Sequence, residues 1–239
     1  MTVLVITGTG TEVGKTVVTA AVAALARAEG KRVAVLKPAQ TGVGPQEPGD
    51  IDEVLRLAGD LTARELHRYP LPLAPETAAR AAGLPPVRPD RIAASASGLA
   101  AEHDLVLVEG AGGLLVRYDS AGSTLADAAW ALGAPVLLVA SAGLGVLNSA
   151  ALTVEALRRR GLTCEGVVVG RWPHQPDLAS RHNLADLPAV TGVPLLGVLP
   201  DGAGKCGEED FLPLARACLG PELGGEFDAA EFTVKHGLT

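Results

Sequence analysis

The sequence predicts a doubly wound α/β fold, a mainly parallel sheet with helices on both faces, and three observations carry that expectation. Short aliphatic runs bounded by turn residues alternate with helical stretches along the chain. The first run ends in a glycine-rich loop that opens a helix, the layout of a P-loop NTPase-like protein. Aromatic residues make up 3% of the 239 residues while 48% are hydrophobic, so aliphatic side chains must pack the sheet, as they do when parallel strands are covered on both faces.

The strands read in order as Val3 to Ile6, Val33 to Leu36, Leu105 to Val108, Val136 to Val139, Val167 to Val169 and Leu195 to Leu199. Helical patterns fall between them at Val17 to Ala28, Asp52 to Ala58, Ala93 to Glu102, Ser123 to Leu132 and Ser149 to Arg160, with right-handed crossovers as the default. The stretch Tyr69 to Arg91 holds Pro70, Pro72, Pro75, Pro85, Pro86 and Pro89, and is expected to run over the surface as neither helix nor central strand. It lines a site or merely connects. One α/β domain is expected to span the chain, with the glycine-rich, acidic tail after Leu219 unassigned.

Charge and cysteine content narrow the function classes. Twenty basic against 27 acidic residues give −7, with no long basic run, which argues against nucleic acid and anionic membrane surfaces as partners. No apolar run approaches the roughly eighteen residues of a membrane span. Cys164, Cys206 and Cys218 are odd in number and follow no amino-terminal signal pattern, so a reduced, cytoplasmic protein is expected. Neither these cysteines nor the five histidines show zinc-ligand spacing.

The chemistry-bearing residues lie just after strands, where open parallel sheets bind ligands. In Gly8 to Thr16, GTGTEVGKT, backbone N–H groups and the following helix dipole suit phosphates, Lys15 reaches the outer phosphates and the Thr16 hydroxyl suits Mg²⁺. The usual spacing puts glycine at position 9; here Thr9 stands between Gly8 and Gly10, a variant loop. After the second strand, Pro38 and Gly42 constrain a loop that carries Lys37 and Thr41. Lys37 is either a second cation beside Lys15, which calls for an anion, or a solvated lysine at a strand end. Glu109, followed by Gly110, Ala111, Gly112 and Gly113, fits a strand-end acid that helps hold Mg²⁺, or a turn cap. Asp50 and Asp52 offer a further oxygen ligand, and Asp52 equally suits a helix cap. The segment Gly143 to Asn148 opens a helix whose free N–H groups suit a carboxylate, although a plain helix start explains it as well.

The segments GTGTEVGKT, KPAQTG, VEGAGGLL and GLGVLN, in this order and over residues 1 to 200, resemble the dethiobiotin synthetases, ATP-dependent carboxylases of biotin synthesis. The resemblance implies 7,8-diaminononanoate, CO₂ and ATP as substrates, with Mg²⁺ as cofactor. It assigns the nucleotide to Glu12, Val13, Gly14, Lys15, Thr16 and Val17, with Asp50, Glu109, Gly110, Ala111 and Gly112 alongside, and Mg²⁺ to Thr16, Asp50 and Glu109. Asp50 is preferred to Asp52 because the family's aspartate lies six residues before an arginine or polar equivalent, here Arg56. Lys37 becomes the active-site lysine, acting with Lys15, and Thr41 the hydroxyl that touches the diamine. Gly145, Val146, Leu147 and Asn148 match the segment that binds the substrate carboxylate across a dimer interface, which implies a homodimer with shared sites. Many members read adenine with Asn-Asp, where this chain has Gly170 and Arg171; with Pro200, Asp201 and Gly202 left to approach the base, another nucleoside triphosphate could serve.

Two other classes share the early motifs. Nucleotide-switch ATPases of the partitioning type usually carry a signature lysine where this chain has Gly10. Cobyrinate-type amide synthetases commonly add a glutaminase domain with a cysteine nucleophile, for which this chain has no room.

Overall fold

The alternating runs resolve into seven strands with helices between them in a computed structural model that describes residues 2–238. The strands are β1 (Thr2–Gly8), β2 (Val33–Thr41), β3 (Thr62–Tyr69), β4 (Leu105–Gly113), β5 (Val136–Ser141), β6 (Cys164–Trp172) and β7 (Leu195–Pro200). The helices are α1 (Lys15–Ala28), α2 (Asp50–Ala58), α3 (Pro75–Ala82), α4 (Pro89–Ala100), α5 (Leu125–Leu132), α6 (Val146–Arg159), α7 (Leu178–Thr191), α8 (Glu208–Cys218) and α9 (Ala229–His236). The strands form one parallel sheet in the order β3-β2-β4-β1-β5-β6-β7.

Side-chain alternation along each strand feeds two cores. Leu4, Ile6, Val35, Leu107, Leu137 and Val139 point to the face covered by α1, α2 and α8, where Val18, Val22, Leu25, Leu57 and Phe211 meet them. Val5, Leu36, Val106 and Val108 point to the opposite face, against Ile92 and Leu99 of α4 and Leu125 of α5. On that side α6 and α7 cover β5 to β7 through Val154, Leu184 and Leu187. Burial on both faces explains why the central strands read as unbroken aliphatic runs.

Elements that the sequence reading left out have identifiable disguises. Strand β3, Thr-Ala-Arg-Glu-Leu-His-Arg-Tyr, pairs only with β2 and carries the charged residues that protect an edge. The proline-rich stretch expected to be irregular contains all of α3 and the start of α4. Pro75 and Pro89 each occupy a first-turn position, where a missing N–H costs nothing, so these prolines start helices. Helices α7 and α8 contain Pro188 and Pro213, which break the expected pattern. The tail is ordered: Leu219 bridges to Gly197 at the sheet edge, and Phe232 of α9 packs edge-on against Trp172 at 5.7 Å.

Two features position the site. The register between β2 and β4 ends at Leu36↔Val108, so the strands part where Lys37 and Glu109 begin, and both residues lie within strands rather than on loops. Pro38, which has no N–H to donate, falls where that pairing has stopped. The second feature is a backbone-to-backbone contact between the loop after β1 and β6. Gly14 has φ +96, and a Cβ there would lie 2.5 Å from the Gly170 carbonyl oxygen; a Cβ on Gly170 would collide with the Val13 carbonyl. Gly170→Ala should therefore lift the loop from the sheet and destabilise the fold by about 1–3 kcal/mol, as overpacking does. Thermal unfolding should show Tm lowered by several degrees, and an unchanged Tm would mean that the contact carries no strain.

Candidate active site

The phosphate loop spans the gap between β1 and α1. Gly14, the residue before α1, has no side chain to cap the helix, and no acidic residue lies in the first turn, so the first N–H groups of α1 remain free to meet an anion. Glu12 adopts φ 60, the one non-glycine residue with positive φ among the described residues, and its carbonyl accepts a hydrogen bond from Arg171 Nη1 at 3.2 Å. Lys15 Nζ donates to the Gly10 carbonyl at 2.8 Å, folding the lysine back along its own loop.

Where β2 and β4 part, four charged groups gather. Lys37 Nζ donates to Glu109 Oε1 at 2.8 Å and to the Gly110 carbonyl at 3.2 Å, and forms an ion pair with the Asp50 carboxylate. Thr16 Oγ1 donates to the same Glu109 oxygen at 3.0 Å. Lys37 is 3% exposed and Glu109 1%, whereas Asp50 at 34% faces the open cleft. Burial acts to lower the Lys37 pKa, but Glu109 and Asp50 outweigh it and hold the ammonium above the ordinary lysine range. Lys15 lacks such direct carboxylate contacts; burial, then the neighbouring Lys37 charge, push it down to about 8. For Asp50, burial acts upward and Lys37 overrides it, keeping the carboxyl below its usual value.

These groups open onto a cleft of about 910 Å³. Its walls include Glu12, Gly14, Lys15, Thr16, Val17, Lys37, Thr41, Asp50, Glu109, Ala111 and Gly112 at one end, and Gly170, Arg171, Pro200, Asp201 and Gly202 at the other. At the second end Arg171 Nε donates to Asp201 Oδ1 at 2.8 Å, and the Asp201 N–H donates to the Trp172 carbonyl at 2.7 Å. Val13 is buried beneath the loop and borders a separate pocket of about 400 Å³. Gly110 contributes its carbonyl to Lys37. The Gly145 to Asn148 segment does not line the cleft of its own chain: Gly145 precedes α6 with φ 91, Val146 is buried, Leu147 half-buried, and Asn148 exposed beside Leu144, which is 92% exposed.

The structure separates Asp50 from Asp52. Asp50 reaches Lys37, while Asp52 Oδ2 accepts the Gly49 N–H at 2.6 Å and serves the helix start. It also adds residues that motif spacing did not single out. Pro72 and Pro75 line the cleft beside Thr41, which settles the role of the proline-rich stretch as a wall. His174 and Lys205 border the far end, and the buried Tyr118 hydroxyl accepts the Ala111 N–H at 2.9 Å, fixing the turn after β4. Tyr118 is one of two tyrosines in an aromatic-poor chain, and that rarity was the available signal.

The oxygens of Thr16, Asp50 and Glu109 form a hard, all-oxygen donor set beside the phosphate loop, of the kind Mg²⁺ uses together with phosphate and water. Among the described residues no helix is long and apolar enough to cross a membrane.

Comparison with known proteins bears on the fold and the family. A family model described as AAA domain matches residues 2–204. Among solved structures, the septum site-determining protein MinD complexed with Mg-ADP from Pyrococcus horikoshii superposes with a TM-score of 0.58 over 98% of this chain and 93% of that one. At 16% identity, it shows the shared fold alone. Among sequences, the ATP-dependent dethiobiotin synthetase BioD of Saccharopolyspora erythraea is 68% identical over 95% of this chain and 99% of that protein. The proteins of the same name from Streptomyces avermitilis and Streptomyces coelicolor are 66% and 63% identical over 97% and 99% of this chain. Identity at this level across nearly the whole length means that this chain belongs to the family of ATP-dependent dethiobiotin synthetases.

Proposed function

We propose that this protein carboxylates 7,8-diaminononanoate with CO₂ and closes the ureido ring of dethiobiotin at the expense of ATP, a ligase step of biotin biosynthesis. The observation that carries the reading is the cluster where β2 and β4 part: two lysines and two carboxylates beside a phosphate loop, all in one cleft. The free N–H groups of α1 and residues Glu12 to Val17 hold the phosphates. Thr16, Asp50 and Glu109 would hold Mg²⁺, which when bound would offset charge on the phosphate oxygens.

One neutral amine of the diamine adds to CO₂ and loses a proton, giving a carbamate anion. Lys37 and Lys15 supply the positive charge that favours it. A carbamate oxygen takes the γ-phosphoryl group as ADP leaves, and Lys15 with the loop N–H groups stabilises charge on the phosphate oxygens. The second amine then attacks the carbonyl carbon, phosphate departs and the five-membered ring closes. Both amines sit on one anchored ligand, so closure profits from high effective concentration. Thr41 contacts the diamine on the Pro72 side of the cleft.

The Gly145 to Asn148 helix start, matched to the segment that binds the substrate carboxylate, lies outside its own chain's cleft. We therefore assign the exposed Gly145 to Asn148 helix start to the site of a second subunit, in a homodimer with shared sites. Free, half-buried thiols fit a reduced, cytoplasmic setting: desolvation pushes Cys164 and Cys218 up to about 11, away from reactivity. At the base end Gly170 has no side chain, and the Arg171 guanidinium is engaged by Asp201 and the Glu12 carbonyl, which leaves few groups free to read a base edge.

Incubation with the diamine, labelled bicarbonate, Mg²⁺ and a triphosphate should give an acid-stable labelled product, with discrimination between ATP and CTP weaker than in a relative that carries the Asn-Asp pair. No product with any triphosphate would overturn the reaction, and a large preference for ATP would mean that another loop reads adenine. Lys37→Gln should lower turnover about a hundredfold or more, the loss expected for a preorganised charge. It should also lower Tm, since Glu109 is left buried without its cation. A folded variant with near-normal turnover would remove Lys37 from the chemistry. Asp50→Asn should raise the Mg²⁺ needed for half-maximal activity by about tenfold or more. Asp52→Asn should change stability by about 1 kcal/mol or less, because Asn also caps helices. The reverse pattern in a magnesium titration would move the metal to Asp52.

A further inference from the structure

Helix α2 begins at Asp50, and the residue before it, Gly49, offers no side chain to the N–H groups of the first turn. The acceptor comes from another element. Gln40 of β2, buried at 4% exposure, presents Oε1 to the Asp50 N–H at 2.8 Å. Only an oxygen can accept that hydrogen, so the chemistry fixes the amide's orientation and turns Nε2 toward the Thr41 carbonyl at 3.3 Å.

The loop into α2 is held from its other side. Arg68 of β3 donates to the Gly44 carbonyl at 3.1 Å and to the Glu47 carbonyl, and Glu65 fixes the guanidinium with contacts of 2.8 and 2.9 Å. Gly49 is what lets both groups approach: a Cβ there would lie 2.9 Å from Gln40 Oε1 and 3.0 Å from Arg68 Nη2. One residue, Asp50, therefore has its backbone pinned by Gln40 while its carboxylate reaches Lys37 at the cleft. A helix end without its cap frays first at that residue.

We propose that Gln40 is a positioning residue for the metal site, capping α2 from a neighbouring strand so that the Asp50 carboxylate stays beside Lys37 and Glu109. The proposal rests on the reading that Asp50 helps hold Mg²⁺ with the nucleotide. Its distinctive consequence is that loss of Gln40 weakens nucleotide binding only where Mg²⁺ takes part.

Calorimetric titration of folded Gln40→Ala with ADP, in Mg²⁺ and separately in EDTA, tests this. The Kd in Mg²⁺ should rise roughly fivefold, the effect of one lost helix cap, and the Kd in EDTA should match wild type. The double variant Gln40→Ala/Gly49→Ser caps the same helix end differently, with a serine Oγ that can accept from the Ile51 or Asp52 N–H. Gly49 has extended backbone, φ −113, which serine adopts; removal of the Gln40 side chain takes away the nearer clash and leaves Arg68 Nη2 at 3.0 Å, where the guanidinium must give by a few tenths of an ångström, so the Mg²⁺ effect should return part of the way toward wild type. Equal losses with and without Mg²⁺, or no loss in either, would overturn the proposal, as would a double variant that folds but shows no recovery. Wild-type protein whose ADP affinity ignored Mg²⁺ would instead remove the reading beneath it, and the proposal with it.

Discussion

Everything at the cleft depends on where β2 and β4 stop pairing. Up to Leu36 and Val108 the two strands are ordinary buried neighbours. One residue later each carries a charge that the interior would not tolerate alone, and the strands part so that Lys37 and Glu109 neutralise each other while remaining reachable from the cleft. Removing one partner of such a buried pair costs on the order of 3–5 kcal/mol, so the fold and the site are bound to the same two side chains. Asp50 and Lys15 complete a set with two charges of each sign. Within it the carboxylates hold Lys37 charged, while burial and the Lys37 charge leave Lys15 with its pKa pushed down to about 8.

Much of this was legible in the sequence because of where physics leaves marks on a chain. A parallel strand buried on both faces reads as an aliphatic run, and the loops that must approach phosphates read as glycine. Lys37, Glu109 and the phosphate loop were found in that way. What periodicity could not give was depth: Lys37 looked like a residue on a loop and proved to be a buried strand residue held by two carboxylates. Edge strand β3 was missed because its charges mask its alternation, and α3 because a proline at the start of a helix looks, in one dimension, like a proline that forbids one. Arg68 and Gln40 matter through contacts with residues distant in sequence, for which spacing carries no signal.

The comparisons divide along the same line. The likeness to MinD runs over nearly the whole chain, yet at 16% identity it speaks only of the sheet and its helices. The chain departs from partitioning ATPases at the level of single residues, with Gly10 in the loop where those proteins usually carry lysine. In this chain the second lysine of the cluster is Lys37 of β2, held by Asp50 and Glu109.

The contact of Gly14 with Gly170 also has a consequence in time. The phosphate loop is made within the first sixteen residues, but the backbone it rests on, and the Arg171 that holds its Glu12 carbonyl, emerge more than 150 residues later. At ordinary rates of translation that is a delay of roughly ten to thirty seconds. Through this interval the nascent chain carries a glycine-rich loop with nothing to press against. The contact that holds the loop against the sheet therefore forms only once β6 has been made, and local folding at the amino terminus cannot supply it.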